Sequence, residues 1–165
     1  MKIAFYAPFK PLDHPNPSGD RAIGRGLAKF FLHQSFTLTI PSRLRTRWIY
    51  LRWWKWPRFS LDLVKCLVRL KKTPPDVWLT YHTYYKAPDI LGSLVCRLLN
   101  INYVIFQGIY STKQRRKLKT AVGFYLNRLA LKQADHVFTN KSNDFKNLKR
   151  IMPPGRLSYI KPGLY

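Results

Sequence analysis

The sequence predicts an α/β fold: a Rossmann-like parallel sheet of six or seven strands with helices on both faces. Three observations carry this. Short apolar runs, KIAFY at 2–6 and VWLTY at 77–81 among them, have the length of buried strands. Between them lie segments of roughly 10 to 15 residues with three- and four-residue apolar spacing, the pattern of helices that cross back over a parallel sheet. Clusters of Pro, Gly, Asn and Asp punctuate the alternation. With 165 residues, the chain has the size of a single domain, residues 1–165. Its apolar content of 46% is too high for a disordered chain.

The elements follow in order. Lys2 to Tyr6 is the first strand, ended by Pro8 and a loop through Pro17, Ser18 and Gly19. Asp20 to His33 is helical, with Ile23, Leu27, Phe30 and Phe31 on its apolar side. Phe36 to Ile40 is the second strand. Phe59 to Lys71 is an amphipathic helix, with Leu63, Val64, Leu67, Val68 and Leu70 facing one way, stopped by Pro74 and Pro75. Val77 to Tyr81, Tyr103 to Phe106 and His136 to Thr139 are the third, fourth and fifth strands. Ala87 to Leu99, Lys117 to Gln133 and Lys141 to Ile151 are the helices that follow them. Ser158 to Ile160 is a last strand, closed by Pro162 and Gly163.

Charge is the second strong signal. Thirty Lys and Arg face seven acids, all of them Asp, for a net +23. Such a field implies an anionic partner: a membrane surface, a nucleic acid or an acidic protein. A generally basic proteome is the plainer account. Cys66 and Cys96 lie in apolar helical contexts and read as buried thiols of a reducing compartment. Neither has metal-ligand spacing, and the residues call for no cofactor. No apolar stretch reaches the roughly 20 residues of a membrane span, and MKIAFYAPF is a poor signal peptide.

In a parallel sheet, ligands gather beyond the carboxyl ends of the strands. That rule selects Ser18 and Gly19, then His82 to Tyr85, then Gln107 to Tyr110, then Asn140. Ser-Gly-Asp ahead of a helix suits a phosphate, and equally it is a common helix cap. Arg21 can pair a phosphate or face water. His82 can hydrogen-bond a sugar or phosphate, or be satisfied by its own loop. Beside it Tyr81, Tyr84 and Tyr85 can stack on a sugar or lipid headgroup and Lys86 adds a cation, although one or two of these tyrosines belong to the core. Gly24-Arg25-Gly26 lies inside a helix and is no dinucleotide fingerprint.

Residues 43–56, RLRTRWIYLRWWKW, hold four of the five Trp and five cations with no acid. On a helical wheel Ile49, Tyr50, Trp53, Trp54 and Trp56 share one side, and Arg47, Arg52 and Lys55 the other. Trp at an interface with a cationic face suits an anionic membrane. Packing into the domain, or stacking of single-stranded nucleic acid, are the rival readings. No zinc finger, RRM signature or helix-turn-helix accompanies the segment, which makes nucleic acid the weakest of the three.

Three strings carry a family resemblance. AFYAPFKPLDHPNPSGDRAIGR at 4–25 resembles the opening of family 4 glycosyltransferases of the GT-B fold, in particular a bacterial subgroup with a similar opening loop. PDVWLTYHTYYKAPDILG at 75–92 and ADHVFTNKSND at 134–144 resemble the same subgroup, in order and in register. The resemblance implies the N-terminal, acceptor-side half of a retaining enzyme that moves a sugar from a nucleotide-diphosphate sugar to a lipid-linked or glycan acceptor. It implies Ser18, Gly19 and Arg21 near the donor diphosphate, with Tyr84, Tyr85, Lys86 and Lys113 toward the acceptor. His82 and Gln107 are the candidates at the reacting centre. Gln107 departs from the family, where His or Glu follows this strand; an amide accepts and donates hydrogen bonds but is no base. The final YIKPGLY matches the family's interdomain hinge, which implies that a donor-binding half of about 150 residues is not in this chain, and that the chain alone is inactive. The implied setting is the cytoplasmic face of the inner membrane. A basic Rossmann-like module that binds a polyanion without catalysis is the alternative.

Overall fold

The structure is a computed structural model that describes residues 1–161. The strand end at Pro162 and Gly163 and the hinge through Tyr165 lie outside the described residues. Six strands form one parallel sheet in the order β2-β1-β3-β4-β5-β6. They are β1 (Lys2–Tyr6), β2 (Thr37–Thr39), β3 (Val77–Thr83), β4 (Asn102–Gly108), β5 (His136–Thr139) and β6 (Leu157–Tyr159). The helices are α1 (Gly19–His33), α2 (Trp56–Lys72), α3 (Ile90–Leu99), α4 (Leu118–Gln133) and α5 (Ser142–Leu148). The fold class is as the sequence predicts, an α/β Rossmann-like sheet.

The two sheet faces follow from strand alternation. Ile3, Phe5, Leu79 and Tyr81 pack under Leu27 and Phe31 of α1. Tyr6, Trp78, Tyr103, Ile105 and Val137 point the other way, into one core with Phe59, Cys66 and Leu70 of α2, Leu91 and Val95 of α3, Phe124 and Leu131 of α4, and Leu148 of α5. Right-handed crossovers require this split: β1 connects leftward to β2, and every later connection runs rightward.

Several boundaries and faces differ from the sequence reading. β3 and β4 run further than expected, so His82 and Gln107 are the penultimate residues of their strands. α2 starts earlier, with Pro57 in its first turn, where a missing N–H costs nothing. α3 starts later, after Pro88, with Asp89 as its cap. The buried sides of α1 and α2 are narrower than the sequence pattern predicts. Ile23 and Phe30 of α1 and Val64 and Val68 of α2 are exposed, because the sheet is met instead by Gly24, Leu27, Ala28 and Phe31 and by Phe59, Cys66 and Leu70. At Gly24 even a methyl group would press on Leu12 and Tyr81, so α1 lies close against β3.

The segment 43–56 is not a continuous helix. It is an extended strap followed by two short 3-10 turns, Ile49–Leu51 and Trp53–Lys55, with Trp48 in the left-handed region at φ 57°. This corrects the helical-wheel grouping: Ile49 is buried and Tyr50 half-buried, whereas Trp53, Trp54 and Trp56 are 78%, 59% and 40% exposed. Cys66 and Cys96 are both buried and unpaired, and burial pushes the Cys66 thiol up to about 12. No helix among the described residues is long and apolar enough to cross a membrane.

Candidate functional site

The strand order reverses direction between β1 and β3, and the crevice at their carboxyl ends is where the topology leaves room for a ligand. The loop after β1 supplies Phe9 and the cap of α1. The end of β3 supplies His82 and Tyr84. The strap lies across both. Its Thr46 N–H donates to Pro8 O at 3.0 Å and its Trp48 N–H to Lys86 O at 2.7 Å. Arg45 Nε donates to Phe9 O at 2.8 Å, and Thr46 Oγ1 to Pro88 O at 2.9 Å. Backbone hydrogen bonds therefore fix the basic segment at the switch point.

His82 sits at the carboxyl edge with side-chain exposure of 14%. Its Nδ1 lies 3.0 Å from Asp20 Oδ1, on the first turn of α1. Burial lowers the imidazole below its ordinary range, and Asp20 opposes that only in part. A neutral ring facing a carboxylate must donate from Nδ1, which leaves the Nε2 lone pair to accept from a hydroxyl. The ring is flanked by Phe9 and Tyr84, with centroids at 5.4 and 5.2 Å. Burial also pushes the Tyr84 phenol up to about 12, so it stays a hydrogen-bond donor at neutral pH.

Gln107 is the neighbour of His82 on β4, between the register pairs Tyr81–Phe106 and Thr83–Gly108. Its Nε2 donates to Asn140 Oδ1 at 3.1 Å, which joins the ends of β4 and β5. Beneath the crevice lies a polar network. Asp89, fully buried, accepts from Gly92 N–H at 2.7 Å, from Tyr103 Oη at 2.8 Å and from Thr80 Oγ1. Thr83 Oγ1 accepts from Asp89 N–H at 3.0 Å and donates to Asn127 Oδ1 at 2.9 Å. These bonds hold the loop after β3 to α3 and α4.

The other sequence candidates divide. Ser18 is the α1 cap, its Oγ accepting from Arg21 N–H at 3.3 Å. Gly19 has open space where a Cβ would sit, and its backbone is not left-handed. Arg21 donates to Pro15 O at 3.1 Å and, with Ser18 and Arg25, lines a shallow open depression. Tyr81 is core, stacked between Phe5 and Phe106. Tyr85 and Lys86 turn away from His82 toward Trp48: the Lys86 ammonium lies 5.8 Å from the Trp48 ring, with Lys119 at 5.6 Å. Lys113 is exposed on the turn Thr112–Arg116 and stacks on no ring among the described residues. Arg52, Trp53, Trp54, Lys55 and Trp56 run along the outer end of the strap.

Phe9, Asp20, Arg45, Asn127 and Asp89 were not singled out by sequence. Asp20 lies in the Ser-Gly-Asp string, and Arg45 in the basic segment, so both carried a signal. Phe9 carried none; only the folded loop brings it to His82. A groove of about 550 Å³ lies instead between α3 and α4 among Ile90, Leu94, Leu126 and Leu129. It holds none of the strand-end residues, which gather at the switch point.

The fold is that of a parallel α/β Rossmann-like domain, with the candidate site at the β1–β3 switch point. Among solved structures the chain is similar in fold to a UDP-GlcNAc 2-epimerase from Methanocaldococcus jannaschii, with TM-score 0.52 and 14% identity. The match covers 96% of this chain and 45% of the epimerase chain, so the protein spans less than half the length of that relative. No protein family model and no curated protein matches the sequence.

Proposed function

We propose that this domain is the acceptor-side half of a GT-B glycosyltransferase of the family 4 type. In that reading it receives a sugar from a nucleotide-diphosphate sugar held largely by a second domain, and passes it to a lipid-linked or glycan acceptor. The observation that carries the reading is the constitution of the crevice. A neutral His82 is fixed by Asp20, an aromatic pair, Phe9 and Tyr84, flanks it, and Arg45 and Arg47 lie over the Phe9 ring. Sugars are bound by just such combinations of ring faces and hydrogen-bonding groups. The fold likeness to a UDP-GlcNAc 2-epimerase supports the nucleotide-sugar context. Gln107 supplies an amide, so its part is to orient a hydroxyl and not to take a proton. Ser18 and Arg21, at the helix N-terminus, are the groups offered to the donor diphosphate.

The exposed Trp53, Trp54 and Trp56, with Arg47, Arg52 and Lys55, support docking on an anionic membrane surface, which this reading takes to be the cytoplasmic face. Most of the cations are without a carboxylate partner: among the described residues Arg43, at 3.1 Å from Asp13, is the one Lys or Arg held by a carboxylate. No acid occurs between Asp89 and Asp135, a stretch that includes Leu118, Val122 and Leu129, all exposed on α4.

The test is a transfer assay. The chain alone should release no nucleotide diphosphate from a UDP-sugar with a polyprenyl-phosphate-linked acceptor. It should do so when a nucleotide-sugar domain of the same fold is fused after it. Turnover by the chain alone overturns the half-enzyme reading. Absence of acceptor binding by NMR, with polyanion binding retained, favours the second reading, a basic module without catalysis, which the charge of +23 supports.

A further inference from the structure

We propose that Arg45 and Arg47 form a subsite for a phosphoryl group at the mouth of the crevice. This deepens the acceptor reading above by naming the chemistry of what enters it. The two guanidinium carbons lie 5.9 and 6.0 Å from the centroid of one ring, Phe9. That ring is itself wedged against His82 and Tyr84, at 5.4 and 5.2 Å. Two cations thus share one aromatic platform beside the residue that tops β3.

Their anchoring leaves donors unused. Arg45 gives Nε to Phe9 O at 2.8 Å, and one of its terminal nitrogens lies 3.2 Å from His14 Nε2. Arg47 makes no hydrogen bond and no ion pair among the described residues. No carboxylate intervenes. Asp13 is held by Arg43 and Asp20 by His82. Burial, and then the charge of Arg47, lower the Arg45 guanidinium from its usual range, as expected for two like charges held together without a counter-ion. Keeping such a pair is unfavourable unless an anion completes it. Planar guanidinium forks match the three oxygens of a phosphoryl group better than a point charge does.

The strap also says where the phosphate comes from. It carries Arg45 and Arg47 and then runs directly into Trp53 and Trp54, the most exposed Trp residues. A membrane reached by those rings would present its headgroups beside the two arginines. A phosphomonoester on a lipid is the source this favours, and a free phosphate has the same chemistry.

The experiment is vesicle binding at matched surface charge. The full chain is mixed with phosphatidylcholine vesicles doped with phosphatidic acid, a monoester, or phosphatidylglycerol, a diester. The monoester should bind about tenfold more tightly, because two forks meet three free oxygens. The variant R45Q/R47Q should lose that preference. K71Q/K72Q, which removes the same charge from the far end of α2, should keep it. R45K/R47K, which keeps charge and loses the forks, should retain binding and lose most of the preference, and this guards against a glutamine variant that fails to fold. Inorganic phosphate that competes with the vesicles assigns the site to free phosphate as well; failure to compete assigns it to lipid phosphate. Equal binding of the two lipids, or an equal fall in R45Q/R47Q and K71Q/K72Q, overturns the subsite. Loss of the subsite leaves the transfer reading standing, since that is judged by nucleotide release from the fused protein. Equally, a fused protein without transfer leaves the phosphate preference intact.

Discussion

His82 and Gln107 sit side by side at the ends of β3 and β4, and both adopt a left-handed backbone, with φ of 60° and 62°. Neither is glycine, and side chains in this region cost about 1–2 kcal/mol each. The same conformation at adjacent positions turns both strands outward together, and aims two polar side chains over the edge of the sheet. Strain of this kind gathers where a fold positions functional groups.

Substituting Gln107 tests the strain. Q107G relieves the steric cost and gives up the bond to Asn140, so stability should change by no more than about 1 kcal/mol. Q107V places a β-branched side chain in a left-handed position, and should cost about 2 kcal/mol or more. Urea unfolding of the two variants measures the difference, and equal stabilities would mean that the backbone relaxes elsewhere.

His82 should titrate below 6.5, because burial disfavours its charged form. The sign for stability follows. Below pH 6.5 the unfolded chain binds the proton and the folded one does not, so this contribution is full above that pH and is lost as pH falls. D20N should lower the His82 value further, since Asp20 favours the cation. NMR titration of the imidazole reads both, and an upward shift in D20N would exclude the hydrogen bond as drawn.

Asp89 should be the most sensitive polar residue of the domain. D89A removes the α3 cap and strands the Tyr103 and Thr80 hydroxyls in a buried site, at about 3 kcal/mol. Thermal unfolding measures it. Burial raises this carboxyl above its usual range, so its own contribution is present at low pH and weakens as pH rises through the folded value.

Gly123 should tolerate no side chain. A methyl group there would collide with Tyr85 O and the Tyr50 ring, where α4 meets the strap. G123A should cost roughly 2 kcal/mol and loosen Tyr50, Tyr85 and Trp48 together. Tryptophan fluorescence and a urea melt report the two effects, and a melt identical to the parent would place the strap off α4 in solution.

Membrane docking predicts two distinct losses. Replacing Trp53, Trp54 and Trp56 by Ala should leave weak vesicle binding that disappears with salt, as charge is screened beyond about 8 Å at physiological ionic strength. Replacing Arg47, Arg52 and Lys55 by Gln should leave weak binding that responds much less to salt. Equal binding to neutral and anionic vesicles would remove the electrostatic component, and with it the membrane reading.

The alternation of apolar strands with amphipathic helices was enough to determine a parallel sheet of six or seven strands, because period and turn chemistry are local; the structure has six. The strand-end rule was enough to select His82, Gln107 and Ser18, because a parallel sheet puts every carboxyl end on one edge. Three kinds of fact belonged to tertiary structure. Helical periodicity overstated the buried faces of α1 and α2, since the sheet is met by Gly24, Leu27, Ala28 and Phe31 of α1 and by Phe59, Cys66 and Leu70 of α2, and not by Ile23, Phe30, Val64 or Val68. The basic Trp segment looked helical by pattern, yet its N–H groups bond across to Pro8 and Lys86, and those long-range bonds make it a strap. The meeting of Phe9, Asp20, Arg45 and Arg47 around His82 has no local signature, because it joins the β1–α1 connection, the strap and the end of β3. Local patterns set which residues lie at the sheet edge; only long-range hydrogen bonds decided which of them face one another.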